Sequence, residues 1–442
     1  MPTAQKTLAV LAAGALLLSL SLTGCSSTAP SKDAQPEETV SIVPAGSVNA
    51  APSAIPSQNK PSPTQSPTQS PTTLPDVTFS VAVTGDYLPH TPILNYAKRK
   101  GAGTPGGYDF TSTIEAIKPW IEPATIGLCH QEAMFAPTPA QISTFPAFGM
   151  PDNFVHALQH VGYDGCSTAS NHSWDKGRAG LVHTMELFDL AGMGVVGTAR
   201  SAAEDVAQIY EVTQHGRTIK VAHISMTYGL NQGRIRELRN EPWLVHVNDT
   251  QRVVEIAYQA RVQGADVVIA SVHDGMEYKV PISAMQAKRV RDLGASGVID
   301  VFVGHHVHVP QKIGVAPGGV GGGGMWTYYG LGNLFSSMGP DLAPGTQYGT
   351  LGYFEITVPG TPGARAAVTK AQWTGLALDR GAQKVWPFAA FAQGAPPGAT
   401  ISKATVDRYR ATMRGIVGPE AEEIMAPPAP SDATVKVVPR PR

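Results

Sequence analysis

The chain has 442 residues, enough for one large domain or two ordinary ones. Charged residues make up 15% of it, below the roughly 25% of ordinary soluble domains. A formal net charge of −1 makes no electrostatic case for nucleic acid or for an acidic membrane surface.

Lys6 precedes an apolar run, Leu8 to Leu22, that is too short for a comfortable membrane span. Leu22-Thr23-Gly24-Cys25 follows and resembles a bacterial lipobox. Residues 1–25 are therefore expected to be a lipoprotein signal peptide. Cys25 would be lipidated and hold the chain on the extracellular face of the cell membrane. Outside the cytoplasm thiols tend to oxidise. The two remaining cysteines, Cys129 and Cys166, either pair between neighbouring strands or stay as buried thiols.

Residues 26–75 are rich in Pro, Ser, Thr, Ala and Gln, and Ser-Pro-Thr-Gln recurs from Ser62. Such a segment cannot bury a core. It reads as a disordered stalk, with a reach of roughly 150 Å at about 3.1 Å per residue in polyproline form.

The folded domain is expected over 76–380. Val77–Val83 has strand-forming residues and runs into Thr84-Gly85-Asp86. Phe110–Ile121 reads as partly helical, and Ala124–Cys129 as a strand ending at His130-Gln131-Glu132. A helix over Pro151–Val161 leads to a strand over Tyr163–Ala169, which ends at Ser170-Asn171-His172. A helix over Gly177–Leu190 is stopped by Gly192 before the short strand Val195-Val196. Ile209–Thr213 and Thr218–Ser225 form a hairpin around His215-Gly216. Asp249 caps a helix that Gly264 closes. Ala265–Val272 is a buried strand ending at His273; a helix over Ser283–Leu293 then leads to the strand Ile299–Val303. Gly318–Gly324 is a glycine linker, and strands over Trp326–Tyr329, Gly352–Val358 and Ala366–Asp379 complete the domain. The extension, 381–442, is expected to hold one helix near Ser402–Gly418 and then a loose tail. Strands alternating with helices imply an α/β fold with right-handed crossovers.

The strand Ile299–Val303 runs into Gly304-His305-His306-Val307-His308, three imidazoles within four positions in a chain with 13 histidines. Such a strand end lets two imidazoles reach one metal ion. Asp86, Glu132, Asn171-His172 and His273 also follow predicted strands directly. The carboxyl ends of strands in an α/β sheet share one edge, so these residues converge. Carboxylate, amide and imidazole donors suit Zn, Mn or Fe rather than a thiolate site.

These motifs resemble the CapA family, the poly-γ-glutamate capsule synthesis proteins with the calcineurin-like metallophosphatase fold. The matching residues are Gly85-Asp86, Glu132, Asn171-His172 with Asp175 and Gly177, and His273-Asp274-Gly275-Met276-Glu277-Tyr278. Gln286, Gly304–Val309 and Tyr329–Leu334 extend the match, which covers roughly 77–360. The resemblance implies a four-layer αββα sandwich of two mixed sheets flanked by helices. It implies one or two divalent ions held by Asp86, Glu132, Asn171, His273, His306 and His308. His172 would stabilise the transition state or protonate the leaving oxygen, and Glu277 would orient His273. His305 would pack beside the ligands, and Asn333 would bond at the rim. The chain departs from catalytic metallophosphatases twice, with Leu88 where a histidine is usual and Glu132 where an aspartate usually bridges.

Three functions follow from that resemblance. One is a surface phosphoesterase working in synthesis or export of a capsule polymer. Another is a non-catalytic export component that binds an anionic polymer, alongside membrane proteins of the capsule machinery. The third is a hydrolase of amides or wall polymers.

Overall fold

The computed structural model describes residues 73–339 and 343–442. Cys25, the signal segment and most of the 26–75 stretch lie outside the described residues. The strands are β1 (Val77–Tyr87), β2 (Ile126–Gln131), β3 (Gly165–Ser167), β4 (Gly194–Val196), β5 (Gln208–Gln214), β6 (Arg217–Thr227), β7 (Val267–His273) and β8 (Val301–His305). They continue with β9 (Ile313–Ala316), β10 (Met325–Tyr328), β11 (Asn333–Phe335), β12 (Tyr348–Val358), β13 (Ala367–Asp379), β14 (Lys384–Pro387), β15 (Glu422–Glu423) and β16 (Thr434–Val438). The helices are α1 (Thr91–Lys100), α2 (Thr111–Ile114), α3 (Lys118–Ile121), α4 (Phe154–Val161), α5 (Gly177–Leu190), α6 (Thr250–Val262), α7 (Ala284–Ala295) and α8 (Lys403–Val417).

Two mixed sheets result. One runs β14-β13-β12-β1-β2-β3-β4, with β11 also on β1 and β15 on β13; the other runs β16-β5-β6-β7-β8-β10-β9. In the first, β1 to β4 are parallel, joined in turn across α1–α3, α4 and α5. In the second, β6, β7 and β8 are parallel, joined across α6 and α7. Asp249 caps α6 as expected, its Oδ1 accepting from the Arg252 N–H at 2.9 Å.

Alternation along the strands sorts side chains into layers. Val77, Phe79, Val81 and Val83 of β1 face Val267, Ile269, Val301 and Val303 of the opposite sheet. Ala82 turns the other way, into a core with Ile114, Leu158, Leu181 and Phe188 from the helices. Ala270, Val272 and Phe302 meet Val253, Ile256, Val290 and Leu293 of α6 and α7. The order is helix, sheet, sheet, helix, which is the architecture the sequence implied. Each large aliphatic side chain so buried contributes about 1.5–3 kcal/mol.

Some elements differ from the expectation. The 110–121 helix is broken into α2, a 3-10 turn and α3, where Pro119 enters the first turn of the last piece. The chain after α8 is not loose. Thr434–Val438 pairs antiparallel with β5 and extends the second sheet. Cys129 and Cys166 lie opposite each other on β2 and β3, their Cα atoms 4.4 Å apart, and are joined in a disulfide. No helix among the described residues is long and apolar enough to cross a membrane.

Candidate metal centre

The strand ends that carry the expected ligands come from both sheets. Asp86 lies near the end of β1, Glu132 just past β2, and Asn171-His172 a few residues past β3. From the other sheet, His273 ends β7 and His305 ends β8, with His306 and His308 in the turn beyond. The site is thus built from two sheet edges rather than from one shared edge. The two sheets face each other, and their ligand-bearing ends meet across the inter-sheet core.

Two glycines explain why the motifs begin as they do. A Cβ on Gly85 would sit 1.9 Å from the Gly332 carbonyl oxygen, and one on Gly304 would sit 1.9 Å from that of Tyr329. Both positions need a bare backbone so that β1 and β8 can pack against the 329–333 turn. His306 and His308 have φ of +82° and +59°, a left-handed backbone that a histidine adopts at a cost of about 1–3 kcal/mol. Val307 between them is buried.

The side chains form a buried ring of donors. Asp86, Glu132 and His273 are fully buried, and His305, His306 and His308 nearly so. One ligand atom each from Asp86, Glu132 and His308 lie within 4.8 Å of one another; the same holds for Glu277, His306 and His308, and for Asp86, His130 and His305. His273 Nε2 is 2.7 Å from Asn171 Oδ1 and 3.6 Å from Glu132 Oε1. His308 Nε2 is 3.9 Å from Glu132 Oε1 and 3.8 Å from Glu277 Oε1.

Asp86 accepts from His305 Nδ1 at 3.2 Å and from the His306 N–H at 3.1 Å, and its Oδ2 lies 3.2 Å from His308 Nδ1 as an ion-pair contact. Asn333 is fully buried rather than at the rim, and its Oδ1 accepts from His308 Nδ1 at 2.9 Å. Its amide nitrogen donates to the Thr346 carbonyl, so Oδ1 is the end left for His308. That bond places the His308 hydrogen on Nδ1 and directs Nε2 toward the two glutamates.

Glu132 is the exception to this pairing. Both of its carboxylate oxygens are buried without a hydrogen-bond partner, and so is His306 Nδ1. A carboxylate so placed costs several kcal/mol unless a cation meets it. The donor set of oxygen and imidazole nitrogen fits a divalent ion.

Electrostatics point the same way. Burial pushes the Glu132 carboxyl well up, and the His308 charge only partly offsets that. Burial would also raise Asp86, but its bonds from His305 and His308 hold it well below the usual carboxylate range. Burial works against a charge on His308, yet Glu132 and Asp86 outweigh it and push the imidazolium up to about 9. Burial holds His306 down, to about 3.

A pH dependence follows. A divalent ion must displace the His308 proton, so affinity should rise about tenfold per pH unit until about pH 9 and then level off. The metal-free protein should behave oppositely. Its raised His308 pKa contributes stability that is complete below about pH 6.5 and lost as pH rises through about 9. Chelator competition and urea midpoints at pH 6, 7, 8, 9 and 10 check both slopes. A flat affinity profile would remove His308 from the ligand set.

His172 stands beside the ring, 7% exposed, with its edge toward Phe148 at 4.8 Å between centroids. Its Nδ1 donates to Asp175 Oδ2 at 2.6 Å, which fixes the tautomer and leaves Nε2 as the proton-exchanging atom. Asn231 lies over it, with Nδ2 3.2 and 3.3 Å from the two ring nitrogens, and accepts from Asn171 Nδ2 at 3.2 Å.

Glu277 does not orient His273. The chain turns at Gly275, φ +131°, and carries Glu277 to a position 44% exposed beside His308. His273 Nδ1 instead meets His130 Nε2 at 2.9 Å. His130, Asn231 and Tyr228, whose ring centroid is 4.4 Å from that of His306, belong to the site but were not singled out in the sequence. A signal for Tyr228 and Asn231 existed. They follow β6, a strand parallel to β7, as the other site residues follow theirs.

A helix-flanked pair of mixed sheets with oxygen and nitrogen donors at facing strand ends defines an α/β protein with a candidate divalent metal centre. Residues 80–338, more than half of the chain, match the family model described as bacterial capsule synthesis protein PGA_cap, and the chain belongs to that family. It is 30% identical over 190 residues to the capsule biosynthesis protein CapA of Bacillus anthracis, covering 42% of this chain and 43% of the relative. It is 27% identical over 185 residues to the PGA biosynthesis protein CapA of Bacillus subtilis (strain 168), covering 42% and 46%. The chain thus spans less than half the length of these relatives. Among solved structures it is similar to the calcineurin-like phosphoesterase YfkN of Bacillus subtilis, with a TM-score of 0.38 and 15% identity over 77% of this chain and 98% of that one.

Proposed function

We propose that this chain is a metal-dependent phosphoesterase of the cell surface, acting in the synthesis or export of an anionic polymer of the poly-γ-glutamate type. Its CapA relatives, named for capsule and PGA biosynthesis, support the pathway. Cys25 and the 26–75 stalk would anchor it by a lipid at the extracellular face. The observation that carries the hydrolase reading is Glu132, a buried carboxylate without a hydrogen-bond partner inside a ring of imidazoles and a second carboxylate.

A divalent ion held by Asp86, Glu132, Asn171, His273, His306 and His308 would polarise a phosphoryl oxygen and activate water. The protein's own part is to hold these donors rigid and to manage protons. Asp175 holds the His172 ring so that Nε2 can give a proton to the leaving oxygen. Asn231 locks His172 to Asn171 and so ties the acid to the ligand ring.

Leu88, buried where catalytic relatives of the fold carry histidine, favours a second reading, in which the same centre binds polymer without cleaving it. Elemental analysis of the purified protein, with turnover of aryl phosphate mono- and diesters, separates the two. The hydrolase reading expects stoichiometric metal and turnover that falls about 10²–10⁴-fold in His172→Asn while metal content holds. Stoichiometric metal with no turnover favours the binding component. Absence of bound divalent metal at neutral pH would sink the centre itself.

A further inference from the structure

We propose that Ser167 and His130 form a buried relay that decides which nitrogen of His273 is offered to the metal. The inference rests on the metal-centre reading above. It concerns His130, which is fully buried beside the ligand set and is not itself one of the proposed ligands.

The geometry is a continuous line of short contacts. His130 lies opposite Ser167 in the β2–β3 register and is fully buried. Its Nδ1 is 2.8 Å from Ser167 Oγ, and its Nε2 is 2.9 Å from His273 Nδ1. His273 Nε2 continues the line to Asn171 Oδ1 at 2.7 Å. Asn171 spends its amide hydrogen on Asn231 Oδ1, so its carbonyl oxygen faces His273. The His130 ring is held flat on His305, 4.0 Å between centroids and 15° between planes.

A neutral imidazole carries one N–H and one lone pair. The line therefore has two consistent proton arrangements. In the first, Ser167 donates to His130, His130 to His273, and His273 Nε2 to Asn171. His273 Nε2 then bears hydrogen and cannot ligate an ion. In the second, His273 Nδ1 donates to His130 Nε2 and His130 Nδ1 donates to Ser167. The serine hydroxyl turns to the Cys129 carbonyl, 3.5 Å away. Each ring has moved its one proton to its other nitrogen, so the count is unchanged. His273 Nε2 now presents a lone pair to the lone pairs of Asn171 Oδ1, a repulsive contact unless a cation lies between them. Ion binding and the second arrangement thus require each other, and His130 is a positioning residue that couples them.

The test uses the full chain with Zn²⁺ as the probe. Affinity is read by chelator competition in wild type, His130→Phe, His130→Gln and Ser167→Ala. The proton position on His273 is read from long-range ¹H–¹⁵N spectra. The relay expects wild-type His273 to change from the Nε2–H to the Nδ1–H form on adding Zn²⁺. It expects His130→Phe to bind Zn²⁺ about 10–100-fold more weakly, with His130→Gln, which keeps a donor and an acceptor, in between. Ser167→Ala should weaken binding in the same direction and carries the test if His130→Phe fails to fold. Wild-type affinity in His130→Phe and Ser167→Ala, or a His273 tautomer that Zn²⁺ leaves unchanged, would overturn the relay alone. A wild-type protein that takes up no divalent ion overturns the metal centre and the relay together. Zn²⁺ bound with its spectral signature on His130 rather than His273 would replace the relay by a direct ligand.

Discussion

Glu132→Gln is expected to abolish metal retention while leaving the metal-free protein as stable as wild type. The two halves of that result come from the same fact. Neither carboxylate oxygen of Glu132 has a hydrogen-bond partner, and the side chain is fully buried. Burial pushes its carboxyl well up, so the buried charge is disfavoured when no ion meets it. Glutamine keeps its shape and removes a charge that burial penalises, which offsets the lost attraction to His308, so the swap changes the metal-free fold little. The change should stay within about 1 kcal/mol, a typical value for a hydrogen-bonding group that keeps its volume. With an ion present the loss is large, because an anionic oxygen donor becomes a weak amide oxygen. Removing a supporting partner of a metal site costs about 10–100-fold in affinity, and a direct carboxylate ligand should cost at least the upper end of that range. Chelator competition and urea unfolding in EDTA measure the two halves separately. Retained affinity would show that Glu132 is not a ligand. A metal-free protein weakened by more than about 3 kcal/mol would show that Glu132 is part of the fold's own polar network.

Much of this site was legible because parallel strands align their carboxyl ends. Asp86, Glu132, Asn171, His273 and the 305–308 turn each follow a run of strand-forming residues, and that position marks each of them, although the facing of two sheets is what brings them together. His130 is harder to read. It follows the same predicted strand as Glu132, where a histidine reads equally as a turn residue or a chance core histidine. Only the register with Ser167 and the contact with a second sheet give it a role, and neither can be read from one strand. Glu277 was misplaced for a related reason. Its nearness to His273 in sequence suggested a partnership, but the positive φ at Gly275 turns the chain away. The last strand was hidden by composition. Thr434-Val435-Lys436-Val437-Val438 has strand-forming residues, but the prolines around it made the stretch resemble a tail. Pairing with β5, over two hundred positions earlier, is what orders it.

Asp86→Asn should do the opposite of Glu132→Gln and destabilise the protein even without metal. Asp86 accepts from the His305 imidazole and the His306 backbone N–H and pairs with the His308 imidazolium, all in a fully buried site. An amide at this position turns one acceptor into a donor. That donor must face either the His305 Nδ1–H or the N–H groups of His306 and His308. Breaking a buried ion pair from one side costs about 3–5 kcal/mol, because the other charge stays buried and unpaired. The sign of the pH dependence separates this from a general packing defect. The depressed Asp86 pKa contributes stability that is present above its ordinary value near 3.8 and lost only as pH falls through the lower folded value. On that side the penalty should therefore be full at pH 5 to 7. On the alkaline side His308 loses its proton through about pH 9, and the charge that Asp86 neutralises disappears. The gap between wild type and Asp86→Asn should then narrow from pH 7 to pH 10, when urea midpoints are compared in EDTA. A gap that stays constant would mean that Asp86 holds the strand ends together as a hydrogen-bond acceptor alone. A gap that is absent at pH 7 would remove the Asp86–His308 pair from the account of what keeps the centre assembled before an ion arrives.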